Sequence, residues 1–272
     1  MTVKEKQFIT AVKTFYQEHG RHTLPWRNTK SPYRILVSEI MLQQTQVDRV
    51  LSKYKAFLQK FPTVLKLAQA PLSEVLVLWQ GLGYNRRAKM LHECATTVVS
   101  EHNGTFPKTP QQLQDLPGIG PYTASAVCAF AYNHPTPLIE TNVRTVFIHH
   151  FFNETYEVAD AAILNLVECT CDTENPREWY WALMDYGSHL KKTVGNLNAQ
   201  SKHYVKQSKF QGSDRQIRGA IVKVLSTEGK MSRLGLLKKL SAFEDIRVDA
   251  QLEKLQAEEL VMKQGRSYML PV

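Results

Sequence analysis

Leu113-Gln114-Asp115-Leu116-Pro117-Gly118-Ile119-Gly120-Pro121-Tyr122-Thr123-Ala124-Ser125-Ala126-Val127 reads as a helix, a tight turn and a second helix. Thr109 is placed to cap the first helix, with Pro110 at its first position and Gln112 closing a capping box. That helix should stop at Leu116, because Pro117 disfavours helical geometry in the residue before it. Gly118 and Gly120 permit positive φ and a close backbone approach that larger residues block. The second helix should start near Pro121 and run to about Ala131. A turn of this kind leaves backbone N–H groups pointing outward at the positive end of a helix, which suits a phosphate. It equally suits an ordinary joint between helices, and the motif alone does not choose.

The 272 residues are enough for a large core and one or two domains. With 22% charged and 43% hydrophobic residues the composition is that of an ordinary soluble protein. A net charge of +9 favours a polyanionic partner, nucleic acid before a membrane surface. Met1–Gln7 lacks the apolar core of a signal peptide, and no run approaches membrane-spanning length. The expectation is a cytoplasmic, nucleoid-associated monomer without membrane contact. The four cysteines (Cys94, Cys128, Cys169 and Cys171) are scattered, and Cys169-Thr170-Cys171 is too close-spaced and isolated for a metal site. All four read as reduced thiols.

Along the chain, helices are expected over residues 4–19, 33–61, 86–102, 140–152, 158–171 and 177–186. Pro62 and Pro71 break the region between the second and third of these into short helices. Strand signals are weak, so residues 1–190 read as an all-α bundle. Residues 186–212 then carry five lysines (Lys191, Lys192, Lys202, Lys206 and Lys209) and no acidic residue. This stretch reads as a basic linker or arm over 191–212, either solvated or lying along a phosphate backbone. Residues 213–272 read as a separate small unit: a helix capped by Asp214, a second after Ser232, a third bearing Val248 to Leu260, then two short strands around Gly265. That is a winged-helix-like pattern, which binds DNA or protein equally well.

Two acids are candidates for chemistry. Glu39 lies in Ser38-Glu39-Ile40-Met41-Leu42-Gln43-Gln44, inside a helical segment that is apolar nearly all round from Ile35 to Leu42. A carboxylate there is costly to ionise and suits a general acid. A structural pair with Arg27 or Arg34 is the other reading. Glu140, in Pro137-Leu138-Ile139-Glu140-Thr141-Asn142-Val143-Arg144, can cap a helix. If the hairpin's second helix returns the chain to the mouth of the turn, the two acids can instead face one cleft. Two carboxylates suit glycosidic-bond cleavage, one protonating the leaving group and the other stabilising an oxocarbenium-like sugar. Tyr122 either bonds into that cleft or covers the end of a core. Gln43, Gln44 and Tyr84 are candidates to enter a base stack, or are simply polar groups on exposed turns.

Leu116–Thr123 followed by Glu140 resembles the helix-hairpin-helix and Gly/Pro-Asp signature of the endonuclease III superfamily of DNA glycosylases. Within it, four motifs are similar to those of MutY-type adenine glycosylases: Leu24-Pro25-Trp26-Arg27, Ser38 to Val47, Gly81-Leu82-Gly83-Tyr84 and Gly118-Ile119-Gly120-Pro121-Tyr122-Thr123. The resemblance covers roughly residues 8–187. It implies an all-α helix-hairpin-helix glycosylase bundle acting on mismatched or damaged duplex DNA in base excision repair. Glu39 matches the acid that protonates adenine and later handles the water, and Asn142 a residue that helps hold the catalytic site. Tyr122 stands where bifunctional relatives carry a Schiff-base lysine, which implies a monofunctional enzyme. Gln44 and Tyr84 match residues that wedge the duplex when adenine is flipped out. Pro117, Gly118, Ile119, Gly120 and Thr123 would grip the adjacent phosphate, with Gln43, Arg27, Lys191 and Lys192 as further DNA contacts.

Three departures from the family follow. Glu140 stands where the family has Asp, which displaces the carboxylate by up to ~1.5 Å, one bond length. No cysteine follows Met184-Asp185-Tyr186-Gly187, so the iron–sulfur cluster of most relatives is expected to be absent and no cofactor is expected, with the lysine-rich segment replacing its DNA contacts. The small unit at 213–272 stands where the family has its 8-oxoguanine-reading domain. Removal of a mispaired adenine, opposite guanine or 8-oxoguanine, is the favoured reading. Removal of another mismatched or modified base, or binding of distorted DNA without cutting, are the alternatives.

Overall fold

Residues 1–153 and 155–272 are described in the computed structural model. The first helices are α1 (Val3–His19), α2 (Pro32–Leu42), α3 (Val47–Lys60), α4 (Val64–Ala68), α5 (Leu72–Trp79) and α6 (Arg86–Glu101). The hairpin pair follows as α7 (Pro110–Gln114) and α8 (Pro121–Tyr132), then α9 (Thr141–Phe151), α10 (Asp160–Thr170) and α11 (Pro176–Thr193). The chain closes with α12 (Asp214–Glu228), β1 (Met231–Ser232), α13 (Arg233–Lys239), α14 (Asp245–Ala257), β2 (Met262–Gln264) and β3 (Ser267–Met269). Short 3-10 turns occupy Pro25–Arg27 and Leu197–Gln200. The helical expectation holds, with local corrections. The single helix expected over 33–61 is two, because the chain turns sharply at Gln44, whose φ is +54°. α7 stops at Gln114, before Leu116, and α11 continues to Thr193. Ser213, not Asp214, occupies the N-cap of α12. At Thr109 the Gln112 N–H donates to the hydroxyl, which in turn donates to the Gln112 side-chain carbonyl.

The chain forms two compact units. One comprises Met1–Leu36, Pro107–Asp115 and Ile119–Lys206, and the other Val37–Phe106, Leu116–Gly118 and Gln207–Val272. These boundaries fall elsewhere than the composition shift at 191–212, and residues 213–272 share a unit with α3 to α6. In the first unit α1, α8, α9 and α11 bury Phe8, Val12, Phe147, Trp179 and Tyr180. Phe8 meets Phe147 and Trp179 at centroid separations of 5.0 and 5.9 Å, the tilted and edge-on arrangements that aromatic quadrupoles favour. In the second, Phe57, Leu76, Trp79 and Leu91 form the core. Its sheet has the order β1-β3-β2, both pairings antiparallel, with Met231 opposite Tyr268 and Lys263 opposite the same residue. The hairpin around Gly265 was expected; the pairing of β1 is a tertiary addition. No helix among the described residues is long and apolar enough to cross a membrane.

The first unit is fastened by a charge in its interior. The Asp185 side chain on α11 is 2% exposed and takes a fork of two hydrogen bonds, 2.7 and 2.8 Å, from Arg27. Arg21 adds its backbone N–H and its Nε, each at 2.7 Å. Burial pushes the Asp185 carboxyl up, but the hydrogen bonds and charges of Arg27 and Arg21 outweigh it and hold it below the usual carboxylate range. Since folding depresses this pKa, its stabilisation is present above about pH 4, the ordinary Asp value, and is lost as pH falls through the lower folded-state value. Asp185→Asn should cost about 3–5 kcal/mol at pH 7, because it leaves the buried Arg27 cation uncompensated. Urea denaturation checks this, and the gap to wild type should shrink below pH 4. A gap that does not narrow in acid would assign the loss to packing instead of charge.

Candidate active site

Glu39 is on the last turn of α2 and is 7% exposed among apolar neighbours, including Ile35, Leu36 and Ile40, as its sequence setting implied. The last carbonyls of a helix lack partners within it and need donors from elsewhere. Here one side chain supplies them. Arg87, at the start of α6, donates through Nη1 to the carbonyls of Ile40, Met41 and Gln43 at 2.6, 3.2 and 2.6 Å. Through Nη2 it donates to the Leu82 and Gly83 carbonyls at 3.1 and 3.2 Å and to the Thr45 hydroxyl at 3.2 Å. The guanidinium also lies over the rings of Trp79 and Tyr84. Burial lowers its pKa to about 10, so it stays cationic at neutrality. Arg87 therefore caps the helix that carries Glu39 and holds the Gly81–Tyr84 turn against it. Nothing in the sequence singled this residue out, because its acceptors are backbone carbonyls that leave no side-chain signature.

Gln44 and Tyr84, on the two turns that Arg87 joins, both have left-handed backbone, with φ of +54° and +49°. Non-glycine residues rarely adopt this region, and such strain persists only where surroundings over-determine it, often at functional sites. Gly81 and Gly83 flank Tyr84 at φ of +90° and +71°, which few other residues tolerate. The Trp79 indole donates to the Gly83 carbonyl at 3.1 Å. Gln44 is exposed and Tyr84 is 38% exposed, so both side chains stand at the surface. Gln43 is half-buried beside them.

Glu140 is the N-cap of α9. Its Oε1 accepts the N–H groups of Asn142 and Val143 at 2.8 and 2.9 Å, and its Oε2 the Thr141 hydroxyl and Asn142 Nδ2 at 3.0 and 3.1 Å. The carboxylate thus folds back over the first turn of its own helix. α9 rests directly on α11 at Gly187, where any Cβ would collide with the Asn142 carbonyl. Asn198, beyond α11, donates to the Thr141 carbonyl at 3.0 Å and the Thr145 hydroxyl at 2.7 Å. Tyr122 is half-buried on the first turn of α8. In the hairpin only Gly118 has the expected positive φ, +73°, with the Met90 side chain where a Cβ would sit. Gly120 is extended, φ −86°, and a Cβ there would meet open space. Pro117 is half-buried, and Ile119 and Thr123 are buried. Lys191 and Lys192 are exposed in the last turn of α11, where cations also complement the dipole. Arg27 is corrected: with its side chain 4% exposed and forked on Asp185, it is an interior anchor and presents no charge to a phosphate.

The family described as HhH-GPD superfamily base excision DNA repair protein matches residues 37–169. Over 232 residues the chain is 37% identical to the adenine DNA glycosylase of Mycolicibacterium smegmatis, covering 77% of this chain and 78% of that protein. The chain belongs to the adenine DNA glycosylase family. It is 33% identical to the adenine DNA glycosylase of Buchnera aphidicola over 211 residues, 75% of this chain, and that match spans 60% of the relative's length. Among solved structures it is similar to a thermostable thymine-DNA glycosylase, with TM-score 0.60 and 28% identity over 68% of this chain and 86% of that one.

The iron–sulfur cluster implied by the glycosylase resemblance finds no matching residues here. Residues 188–212, the end of α11 and the segment after it, contain no cysteine. Cys94 and Cys128 are buried, and burial pushes their thiols up to about 12 and about 11, away from the thiolate a cluster needs. Cys169 is exposed and donates to the Leu166 carbonyl. Among the described residues no three His, Cys, Asp or Glu side chains are grouped to hold a metal ion. Hydrogen bonds hold this stretch. Val158 donates to the Gln200 carbonyl at 2.9 Å, Lys202 to the Val158 carbonyl at 3.1 Å, and Asn198 fastens α9.

Proposed function

We propose that this chain is a monofunctional glycosylase that hydrolyses the N-glycosidic bond of a flipped, mispaired adenine opposite guanine or 8-oxoguanine. The observation that carries the reading is Glu39, a buried acid on a helix end that Arg87 ties to the strained turn bearing Tyr84. In this reading Gln44 and Tyr84 fill the duplex where the base leaves, which lowers the cost of unstacking. Glu39 delivers its proton to the departing adenine as the C–N bond breaks and its electron pair moves onto the base. The sugar is left oxocarbenium-like, and the glycosylase resemblance gives the Glu140 carboxylate the part of the opposing charge. Glu39, now a base, takes a proton from the water that adds to the sugar. Tyr122 carries no amine, so no Schiff base forms and the strand is not cut.

The hairpin supplies the phosphate grip. Nothing inside the protein requires glycine at Gly120, whose φ is ordinary and whose Cβ would meet open space. A phosphate approaching the start of α8 does require it. Lys191 and Lys192 extend the basic surface along the backbone. We infer also that the chain works without a metal cluster, the Asn198 and Val158 hydrogen bonds doing the anchoring, and that it resides with the DNA it repairs as a monomer.

The test is single-turnover excision on duplexes holding adenine opposite 8-oxoguanine, guanine or thymine, with thymine and uracil opposite guanine alongside, abasic sites being revealed by alkali. Adenine release opposite guanine or 8-oxoguanine is expected. A second reading, removal of mismatched thymine, draws on the likeness to the thymine-DNA glycosylase; thymine release without adenine release would establish it. Binding without release of any base would remove the enzymatic reading. Glu140→Asp adds a finer check. The cap survives this change, so stability should move by no more than about 0.5 kcal/mol. The carboxylate retreats by one bond from the Thr141 and Asn142 donors, and excision should fall about tenfold. A rise would instead mark Glu140 as a handicap in this chain.

A further inference from the structure

The wedge residues have partners that no motif announced. Gln207 donates through Nε2 to Gln44 Oε1 at 3.0 Å and also to the Tyr84 hydroxyl. Arg215 donates through Nη1 to the same hydroxyl at 2.8 Å, and its guanidinium lies 5.7 Å from the centre of the Tyr84 ring. Its Nη2 donates to the Ser208 carbonyl and hydroxyl at 2.7 and 3.3 Å. These residues belong to the segment leading into α12 and to its first turn, in the same compact unit as Gln44 and Tyr84.

Helix stability does not account for Arg215. A cation in the first turn opposes the dipole, and the acid beside it, Asp214, is bonded to Arg247. Nor do the contacts of Arg215 use up its hydrogen-bonding capacity. Its partners are all neutral, and they take three of the five N–H groups a guanidinium carries. It also lines a cavity of about 450 Å³ together with Gln44, Tyr84, Arg87, Arg218 and Glu258. Within that wall Arg87 is committed to backbone carbonyls and Arg218 to Glu258 at 2.6 Å. The cavity is of the size that holds a small flat ligand.

We propose that Arg215, supported by Gln207, is a specificity residue that reads the base left opposite the flipped nucleotide, and that it favours a guanine-type edge. This rests on the glycosylase reading above, since it takes Gln44 and Tyr84 as the wedge. A side chain bonded to the wedge goes where the wedge goes, into the gap beside the unpaired base. Released from Ser208, the guanidinium offers parallel Nε and Nη2 donors, and guanine offers O6 and N7 acceptors together, O6 being kept in 8-oxoguanine. Cytosine presents an amino donor in place of that acceptor edge.

The experiment uses the full chain and duplexes holding a tetrahydrofuran abasic analogue opposite guanine, 8-oxoguanine or cytosine, with affinities measured at one salt concentration. Wild type should prefer the two guanine-type partners. Arg215→Ala should weaken binding opposite guanine by about tenfold or more, the usual value of a bidentate base contact, and opposite 8-oxoguanine, where N7 carries a proton and O6 alone accepts, by a smaller factor, while changing the cytosine duplex by less than about threefold. Arg215→Lys, which keeps charge but loses the fork, should lose the preference too, and Gln207→Ala should show a smaller loss in the same direction. An equal loss for every partner would assign Arg215 to a phosphate, and an unchanged ranking, or a wild type without preference, would equally overturn the proposal. Thermal melting of each variant controls for folding. Excision by wild type is measured in parallel. Its absence would remove the glycosylase reading, whereas the binding ranking decides the role of Arg215 by itself.

Discussion

Glu39→Gln is expected to abolish adenine excision while leaving duplex binding close to wild type. The amide matches the carboxyl in size and keeps hydrogen-bonding atoms at both positions, so the buried site is not emptied. What disappears is the transferable proton. General acid–base catalysis by one group contributes about 10²–10⁴-fold, and here one residue serves both the departure of the base and the activation of water. A fall of at least about 10³-fold in the single-turnover rate is therefore expected, with affinity for an abasic-analogue duplex within about threefold. Retained excision would show that Glu39 is a structural acid and that the proton comes from elsewhere. Equal loss of binding and excision would show that the substitution had damaged the fold.

Arg87→Ala should produce the next largest effect, and on two readouts at once. The side chain answers five backbone carbonyls and one hydroxyl from two turns. Hydrogen bonds to a charged group contribute about 1.5–3 kcal/mol each, and buried acceptors left without donors cost more than the lost bonds. Even with water entering the gap, the loss should reach about 3 kcal/mol. The end of α2 and the Tyr84 turn should then move independently. Misplacement of reacting groups by about 1 Å costs about 100-fold in rate, so single-turnover excision should fall by at least that factor at temperatures where the variant is still folded. Arg87→Lys separates charge from shape: one ammonium cannot span both sets of carbonyls, and it should recover little of either loss. Full activity in a folded Arg87→Ala protein would show that the two turns hold their geometry without the clasp.

The hairpin turn and the burial of Glu39 were legible in the sequence because local chemistry announces them, whereas the roles expected of Glu140, Gln44 and Tyr84 came from the glycosylase resemblance. Proline and glycine dictate the turn at Pro117–Gly120, and a carboxylate in an apolar helix is conspicuous. Boundaries were legible where a cap or breaker sits in the chain, as at His19 before Gly20 and at Gly229. They were not where the stop is a backbone conformation, as at Gln44, whose positive φ no residue preference foretells. Arg27 was misread for a related reason. An arginine in a loop looks like a phosphate contact until its partner, Asp185, is seen 158 residues away in the chain.

By itself, then, the sequence determined the helical class, the helix-hairpin-helix element and the residue types available for chemistry, since propensity, capping and patterning act over a few residues, while the likeness of four motifs pointed to the family. Tertiary structure alone decided which arginine is an interior anchor and which clasps the end of α2, which glycine admits a neighbouring helix, and that the 207–215 segment reaches Gln44 and Tyr84. Those outcomes depend on hydrogen bonds to backbone carbonyls and on ion pairs between distant segments. Such contacts have no local sequence signature, because every residue carries the same carbonyl and only the fold brings the donor to it.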